Sequence, residues 1–497
     1  MWITDHQLNE ATAQRFGTTR PTTPIIYSPH IIEGNALQIE WSSVIDPNDC
    51  NYQFGNPPFI GKAYQTAEQK ADLQKVAGGV KGYKVLDYVA GWYIKAMHFM
   101  QSVTKPNHHV ETAFVSTNSI VQGEQVAVLW KYLLDECKGY INFAHQTFKW
   151  SNEGKGVAAV HCVIVGYSLI NRQEKTIFTY ANIDGEPTPN KAKNINGYLF
   201  NGENVFFDKT KKQISGELPM DYGSMPNDGG YLLMSDDEYH ALIRTQPLAK
   251  KYIKPFMMGN EFLNDIKRWC LWFDSCNTVE LNNDLLKMPE VAERIQQVKF
   301  LRSQSSREAT NKLANIPHLF GERRYSNSPY IGLPRVSSEN RKFIPIDFLD
   351  GTVAGDKLYV LLGGGLYHFG ILSSSMHNAF MRLTAGRLES RYSYSNTIVY
   401  NNFPYPFMAD DTDTKAEQAR QSIAKAGQAV LDAREDYRKA EPKPTLAQLY
   451  NRYLVDPYPK LTKAHSELDK AVDKAYGYKG NGSDESRVEF LLKLLKG

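Results

Sequence analysis

The chain has 497 residues, of which 42% are hydrophobic and 22% are charged, and its formal net charge is +3. These values are typical of a globular protein with two or three domains, and the mild positive charge allows a nucleic-acid partner without requiring one. The five cysteines form no C-x-x-C pair, which argues against a zinc site and favours a reducing compartment. The start "MWITDHQLNE" lacks the pattern of a signal peptide, and no apolar stretch reaches about 18 uninterrupted residues. We therefore expect a cytoplasmic protein without a metal.

The first part of the chain alternates between strand-like and helix-like segments. The segments, in order, are "YQFGN" (strand), "VLDYVAGWYIKAMHFM" (helix), "ETAFVSTNSI" (strand), "EQVAVLWKYLLDE" (helix) and the two long apolar strands "YINFAHQTFKW" and "GVAAVHCVIVGYS". Helices between strands predict a largely parallel sheet, which the last two strands end as an antiparallel hairpin. Ligands bind such sheets at the carboxyl ends of the strands, and Asn56 stands at one of these ends.

The rest of the chain differs in pattern. After about residue 180, longer loops and short β-type runs mixed with helical ones predict a separate α+β domain that reaches residue 408. The stretch "ADDTDT" marks a linker to a helical segment, residues 409–497. Apolar residues at steps of three and four predict two amphipathic helices there, around Ala416–Tyr437 and Leu461–Ala475. These helices can pack on each other or, as the alternative, form a coiled-coil contact with a partner.

The stretch "QFGNPPFIGK" is the part of the sequence that indicates chemistry. An exocyclic amine on a nucleobase is a poor nucleophile, and an enzyme that methylates it must hydrogen-bond both amine hydrogens. The side-chain oxygen of Asn56 and the carbonyl of Pro57 can do this together, because Pro57 and Pro58 fix the backbone and bring no spare N–H. Phe59 offers a face on which an extruded base can stack. The alternative is a proline-rich turn with Phe59 in the core.

Several motifs together resemble one family. The stretches "GNALQIEW", "FGNPPFIGK", "AFVSTNSIVQGEQVAVLW", "INFAHQTFKWSNEGKGVAAVHCVIVGY", "PRVSSENRKFIPIDFL" and "LTKAHSELDKAVDKAYG" are similar to successive motifs of the large class I DNA adenine-N6 methyltransferases. In particular they resemble the type IIG-like restriction-modification enzymes, in which methyltransferase, target-recognition domain and helical tail share one polypeptide, often behind a nuclease.

The resemblance implies a fold and a domain order. It implies an α/β chain with the C-terminal part of a Rossmann-like methyltransferase sheet (residues 1–180), an α+β target-recognition domain (residues 181–408) and a helical C-terminal segment (residues 409–497). It also implies methyl transfer from S-adenosylmethionine to a flipped adenine in double-stranded DNA.

The resemblance also implies roles for single residues. Asn35 and its neighbour Ala36 match the place where such enzymes bind the adenine of S-adenosylmethionine, although Asn35 can instead serve only to form a turn. Phe148 matches the aromatic residue that packs on the other side of the flipped base. Trp150 is its rival, and either ring can belong to the core.

One expected motif does not occur. Class I methyltransferases hold the methionine part of the cofactor with a glycine-rich loop of the form D-x-x-x-G-x-G, and this sequence contains no such loop. The stretches "AGGVKGY" and "LLGGGLYHFG" follow the Asn-Pro-Pro-Phe motif and are interpreted as turns. We therefore expect a second polypeptide to carry the loop, or a truncated enzyme, and we expect no N-terminal nuclease in this chain.

Two regions are predicted to contact DNA. Residues 302–342 contain eight basic and three acidic residues, which favours phosphate contacts by the run Arg302, Arg307, Lys312, Arg323, Arg324, Arg335, Arg341 and Lys342. The alternative is a solvated surface. The stretch "RLTAGRLESRYSYSN" brings together Arg382, Arg387, Glu389 and Arg391 for base recognition, because arginine can bond guanine and a carboxylate can accept from cytosine. The alternative is an internal ion-pair cluster.

Three functions follow, of which a site-specific DNA adenine-N6 methyltransferase is favoured. The second is a methyltransferase acting on another planar amine, in RNA adenine or protein glutamine. The third is a truncated or non-catalytic DNA-recognition subunit.

Overall fold

The computed structural model of the protein describes residues 2–18, 30–150, 160–453 and 455–496. Its N-terminal part consists of a mixed sheet with helices packed on it. The helices are α1 (Trp2–Phe16), α2 (Ala67–Ala77), α3 (Ala90–Gln101) and α4 (Gly123–Trp130), and a π-helix continues α4 over Lys131–Glu136. The strands are β1 (Tyr52–Gly55), β2 (Glu111–Thr117), β3 (Tyr140–Trp150), β4 (Val160–Ser168), β5 (Lys175–Thr179) and β6 (Thr188–Ala192).

The strand order of this sheet is β1-β2-β4-β3-β5-β6. The pairs β1–β2 and β3–β5 are parallel, whereas β2–β4, β3–β4 and β5–β6 are antiparallel. The predicted β3–β4 hairpin is present, but residues 156–159 of its second predicted strand lie outside the described residues. The expectation of a largely parallel sheet that ends at this hairpin is wrong. The outer edge of β3 pairs with β5, which satisfies backbone groups that would otherwise form an exposed edge.

Burial of alternate residues explains the strands next to the site. Along β2 every second side chain is buried, from Thr112 through Phe114 to Ser116, as period-two alternation requires. The buried face of α3 carries Tyr93 and Met97, and Tyr93 packs edge-on against Phe114. The helix begins at Ala90, five residues after the start of the apolar pattern. Asp87 and Tyr88, which precede it, are hydrogen-bonded to Lys62 and Asp72 in other segments.

The middle of the chain is an α+β domain with three small sheets. Its helices are α5 (Asp236–Thr245), α6 (Gly259–Asn264), α7 (Thr278–Leu285), α8 (Pro289–Ser303), α9 (Glu308–Lys312), α10 (Leu366–Leu372) and α11 (Ser375–Thr384), with a π-helix at Asn396–Tyr400. Its strands are β7 (Asp221–Tyr222), β8 (Leu233–Ser235), β9 (Ile253–Met257), β10 (Arg268–Leu271), β11 (Tyr330–Pro334), β12 (Val336–Ser337), β13 (Asp347–Leu349), β14 (Val353–Ala354), β15 (Leu358–Leu361), β16 (Gly386–Leu388) and β17 (Arg391–Ser393). The sheets are ordered β14-β9-β10-β8, β13-β11-β15-β7 and β12-β17-β16.

Residues 227–320, which we call the inserted lobe, have a hydrophobic core of their own. Leu233, Phe256, Trp272 and Val298 belong to this core, which also includes Val353 of β14, whereas Phe262 of the lobe packs into the core shared by the rest of the chain. The lobe leaves and rejoins the domain beside a bridge between Met225 and Glu322.

The C-terminal segment is helical, with α12 (Thr414–Arg438), α13 (Leu446–Leu449), α14 (Pro459–Tyr476) and α15 (Asp484–Lys496). Asp413 caps α12 by accepting from the N–H groups of Lys415 and Ala416. As predicted, α12 and α14 pack on each other, and α15 packs against α11 of the middle domain. No helix among the described residues is long and apolar enough to cross a membrane.

Candidate active site and nucleic-acid interface

Asn56 directly follows β1, at the carboxyl end of that strand. Gly55 pairs with Phe114 of the parallel strand β2, so the position of the next residue is fixed by the sheet. Asn56 is exposed and Pro57 is buried. Neither the Asn56 amide nor the Pro57 carbonyl makes a hydrogen bond to any other residue that the structure describes. Both groups are therefore free to accept hydrogen bonds from a ligand, and Phe59 is half-buried beside them.

A cavity of about 710 Å³ extends along β1 to Asn56. Aromatic and proline residues dominate its lining, among them Trp41, Phe54, Pro57 and Trp92. Within the described part of the chain β1 pairs with β2 alone, so its other edge is open. Phe54 on this edge is 85% exposed. A cavity of this size and lining suits a small-molecule ligand or a further structural element.

The loop that carries Asn35 and Ala36 is held by several side chains. Asn35 donates from Nδ2 to Asp72 Oδ2 (2.8 Å) and accepts at Oδ1 from the Leu37 N–H (3.0 Å). Lys95 Nζ donates to the carbonyls of Ala36 (3.0 Å), Leu37 (2.9 Å) and Ile39. The Ala36 N–H makes no hydrogen bond to another described residue. The loop thus offers a free N–H beside an amide oxygen that has a second lone pair.

Phe148 lies on β3, whose carboxyl end is at the same edge of the sheet as that of β2. Asn118, which follows β2, donates to Thr147 Oγ1 (3.4 Å), so the two ends are linked. The strands β1 and β3 are three strand spacings apart, which is about 14 Å across the sheet. The Phe148 ring stacks on Tyr180 (centroids 5.3 Å apart) and contacts Trp150 (6.0 Å).

Three further residues belong to this aromatic cluster, and none of them was predicted from the sequence: His145, Phe178 and Tyr180. His145 stacks on Phe178 at 4.2 Å, and its Nδ1 is hydrogen-bonded to the Tyr180 hydroxyl (2.8 Å). Burial lowers the pKa of His145 and raises the pKa of Tyr180. The alternation of Phe178 and Tyr180 along the chain was a signal for one aromatic face of a strand. A register shift in β3 between His145 and Phe148 brings the rings of these two residues into contact. This shift cannot be predicted from the sequence.

The basic run of residues 302–342 does not form one surface. Arg302 is fully buried, so its assignment to phosphate contacts is wrong, and its guanidinium is bonded to backbone carbonyls instead. Arg335 is half-buried, lies 4.7 Å over the Tyr222 ring and donates to the Asp356 carbonyl (2.9 Å). Lys342 is exposed. Between Arg335 and Lys342, Lys342 is the residue whose side chain is open to solvent.

The predicted base-recognition residues divide into two groups. Arg382 donates to Asp484 Oδ2 (2.7 Å) and to the Lys342 carbonyl, which links α11 to α15 and favours the internal ion-pair alternative for this residue. Arg387 stacks on Tyr392 at 3.6 Å within the β16–β17 hairpin. Glu389 and Arg391 pair with each other (2.7 Å) and are exposed at the end of that hairpin. The hairpin therefore presents a carboxylate and a guanidinium to solvent.

Comparison with known proteins gives the same domain order. Sequence models of the MmeI family match the chain in succession: the DNA-methyltransferase domain over residues 1–179, the target recognition domain over 201–407 and the C-terminal domain over 415–497. The chain belongs to the MmeI family. This confirms the resemblance to large DNA methyltransferases with a fused recognition domain and helical tail, and it confirms the α/β fold class.

Two relatives extend the MmeI-family match over the whole chain. DNA methyltransferase A of Bacillus subtilis (strain 168) is 36% identical over 499 residues, which cover 99% of this chain and 53% of that protein. The solved structure of the type IIL restriction-modification enzyme MmeI in complex with DNA is 43% identical, with a TM-score of 0.85, and the match covers 100% of this chain and 63% of that one. This chain thus spans about half the length of the curated relative.

The described residues contain no group of three or more His, Cys, Asp or Glu side chains that could hold a metal ion.

Proposed function

We propose that this chain is the catalytic and recognition part of a site-specific DNA adenine-N6 methyltransferase of a restriction-modification system. The observation that carries the proposal is the pair of free acceptors at the end of β1. The Asn56 amide and the Pro57 carbonyl have no hydrogen-bond donor within the described residues, although Pro57 itself is buried. A rigid pair of unoccupied acceptors suits a planar amine with two hydrogens. DNA as the partner is part of the proposal, as is a cytoplasmic location.

The residues of this chain have separate roles in the proposed reaction. Asn56 Oδ1 and the Pro57 carbonyl accept the two N6 hydrogens of the extruded adenine, which turns the nitrogen lone pair out of the ring plane. Phe59 and Phe148 hold the base by stacking. S-adenosylmethionine, when bound, supplies an electrophilic methyl group on a sulfonium. The N6 nitrogen would form its new bond to the methyl carbon while the carbon–sulfur bond breaks, so that the sulfur leaves as a neutral thioether, S-adenosylhomocysteine. The surplus N6 proton would pass to water.

The loop at Asn35 fits the adenine half of S-adenosylmethionine. An adenine presents an amine donor beside a ring-nitrogen acceptor. Asn35 Oδ1 can accept from such an amine, and the free Ala36 N–H can donate to the ring nitrogen. Lys95 and Asp72 hold this loop in place through bonds that do not use those two groups. The methionine half needs a glycine-rich loop, and we propose that a further polypeptide segment supplies it at the open edge of β1.

The proposal is tested with the active protein, by which we mean this chain together with the polypeptide segment that carries the glycine-rich loop. The measurement is the transfer of labelled methyl groups to duplex DNA, to RNA and to a glutamine-containing protein. We expect N6-methyladenine in DNA, and we expect Asn56→Ala to lower kcat by roughly 100-fold or more with folding and DNA affinity retained. The matched control is Asn51→Ala, an exposed asparagine at the other end of β1.

Near-normal turnover by Asn56→Ala would refute the mechanism. Methylation of RNA or protein in place of DNA would establish the second function, and DNA binding without any methyl transfer would establish a non-catalytic recognition subunit.

A further inference from the structure

Asp87 and Tyr88 lie between the two loops of the candidate site. They follow a 3-10 turn at Tyr83–Val85 and precede α3. Both residues are buried. The Asp87 N–H donates to Gln125 Oε1 of α4 (3.0 Å), which fixes the dipeptide to a helix outside both loops.

Asp87 and the backbone of Tyr88 hold the loop that contains Asn56. Asp87 Oδ1 accepts from the Lys62 N–H (2.7 Å), and the Tyr88 N–H donates to the Ile60 carbonyl (2.9 Å). Ile60 directly follows Phe59, so the chain is fixed at the first and the third residue beyond the stacking ring. Asp87 Oδ2 accepts from Ser119 Oγ (2.5 Å), which connects the same carboxylate to the end of β2. No cation forms an ion pair with Asp87 in the described part of the chain, and hydrogen-bond donors alone satisfy this buried carboxylate.

The side chain of Tyr88 reaches the other loop. Its hydroxyl donates to Asp72 Oδ2 (2.9 Å), the same oxygen that accepts from Asn35 Nδ2 (2.8 Å). Asn35 Nδ2 also lies 3.3 Å from the Tyr88 hydroxyl and donates to it. Burial and the Asp72 carboxylate raise the pKa of Tyr88, so this hydroxyl remains a donor at neutral pH. Asn35, Asp72 and Tyr88 thus form one closed set of hydrogen bonds.

We propose that Asp87 and Tyr88 are positioning residues with separate tasks: Asp87 aligns the base-binding loop for methyl transfer, and Tyr88 orients Asn35 toward the adenine of the cofactor. This inference rests on the proposed function and adds residues that touch neither the base nor the cofactor. Because Asp87 acts on the loop where the reaction occurs, its loss lowers kcat. Because the Tyr88 hydroxyl acts on the cofactor loop, its loss weakens cofactor binding.

The experiment measures two quantities for each variant of the active protein. These are kcat at saturating DNA and S-adenosylmethionine, and the Kd for S-adenosylhomocysteine by calorimetry. We expect Asp87→Ala to lower kcat by about 10- to 100-fold, since small misplacement of reacting groups has effects of that size, and to change the Kd by less than about twofold. We expect Tyr88→Phe to raise the Kd by about tenfold, the effect of one hydrogen bond to a charged group, and to change kcat by less than about twofold.

Two further variants separate positioning from general packing. Asp87→Asn keeps an oxygen for the Lys62 N–H and can donate to Ser119 Oγ, so we expect it to restore kcat to within about threefold of the unaltered protein. Tyr132→Phe removes another tyrosine hydroxyl of the same domain, bonded to His98 (2.7 Å), and should leave both quantities unchanged.

The inference is overturned if Asp87→Asn is as impaired as Asp87→Ala, or if either residue changes kcat and Kd to the same extent. A failure of the unaltered active protein, chain and glycine-rich segment together, to methylate DNA would instead refute the proposed function. In that case the Kd of Tyr88→Phe would still decide whether this hydroxyl orients the cofactor loop.

Discussion

Arg302 is a charged side chain that has become part of a hydrophobic interior. It is fully buried at the base of the inserted lobe and donates to the backbone carbonyls of five residues: Pro226, Asn227, Leu313, Ile316 and Leu319. Guanidinium is suited to this, because its five N–H groups lie in one plane and point in different directions. Burial lowers the pKa of Arg302 without removing its charge at any physiological pH.

We predict that Arg302→Met destabilises the inserted lobe by about 3 kcal/mol or more, because it leaves several buried carbonyls without donors. Chemical denaturation followed by tryptophan fluorescence measures the change, and hydrogen exchange shows whether it is confined to residues 227–320. Arg307→Met is the matched control, since Arg307 is exposed. Similar small losses for both variants would show that the carbonyl bonds contribute little.

At the scale of elements, the β16–β17 hairpin differs from the rest of the predicted DNA-contact residues. Its turn places Glu389 in the left-handed region (φ 58°), which presents the Glu389–Arg391 pair at the end of the hairpin. The pair β12–β17 joins the hairpin to Val336 and Ser337, which directly follow Arg335. Lys342, by contrast, is an exposed cation outside any strand. Base recognition needs groups held in a fixed direction, whereas a phosphate contact needs only a nearby charge.

We predict that Lys342→Ala weakens binding to all DNA sequences about equally and reduces the slope of log K against log salt by about 0.9, the loss of one phosphate contact. Substitution of Glu389 or Arg391 by alanine should instead change which sequence is preferred, by about 1–3 kcal/mol at one base pair. Binding titrations against a set of site variants at several salt concentrations measure both effects. Uniform weakening by the hairpin variants would remove them from base recognition.

At the scale of the whole molecule, the unpaired edge of β1 is the surface beside the candidate site where we expect the further polypeptide segment to bind. Tyr52 and Phe54 on this strand are 69% and 85% exposed, and the adjoining cavity is lined by Trp41, Trp92 and Phe99. An exposed strand edge beside an apolar surface favours pairing with another strand.

We predict that the isolated chain of 497 residues binds S-adenosylmethionine weakly and methylates no DNA. Adding a polypeptide segment with a strand and a D-x-x-x-G-x-G loop should restore both activities, because backbone N–H groups of such a loop bind the cofactor's carboxylate. Calorimetry on the chain alone and with the segment measures the difference. In a Phe54→Lys variant, the added segment should restore neither cofactor binding nor methylation, because the lysine places a charge on the strand edge that the segment covers. Tight cofactor binding by the chain alone would contradict the prediction.

Local sequence patterns determined where several strands and helices of this protein lie along the chain. Alternation along β2, the long apolar runs of β3 and β4, and the steps of three and four in α12 and α14 each predict their element, because they reflect burial of one face. The Asn-Pro-Pro-Phe motif could be recognised for the same reason: its chemistry resides in adjacent residues whose backbone the prolines restrict. Strand β1 and the role of Asn56 after it can therefore be predicted without knowledge of any distant contact.

Contacts between distant residues were decided only by the tertiary structure. Asp87 and Ser119 are 32 positions apart, Arg382 and Asp484 are 102 apart, and Arg302 reaches back 75 positions to Asn227. Val291, Ile295 and Val298 precede Arg302 at helical spacing, so the local pattern places Arg302 on the buried face of α8. Which carbonyls its guanidinium meets depends on the segments that pack over that face. The same holds for the strands β5 and β6 that extend the sheet, whose pairing partners are set by packing and not by their own composition.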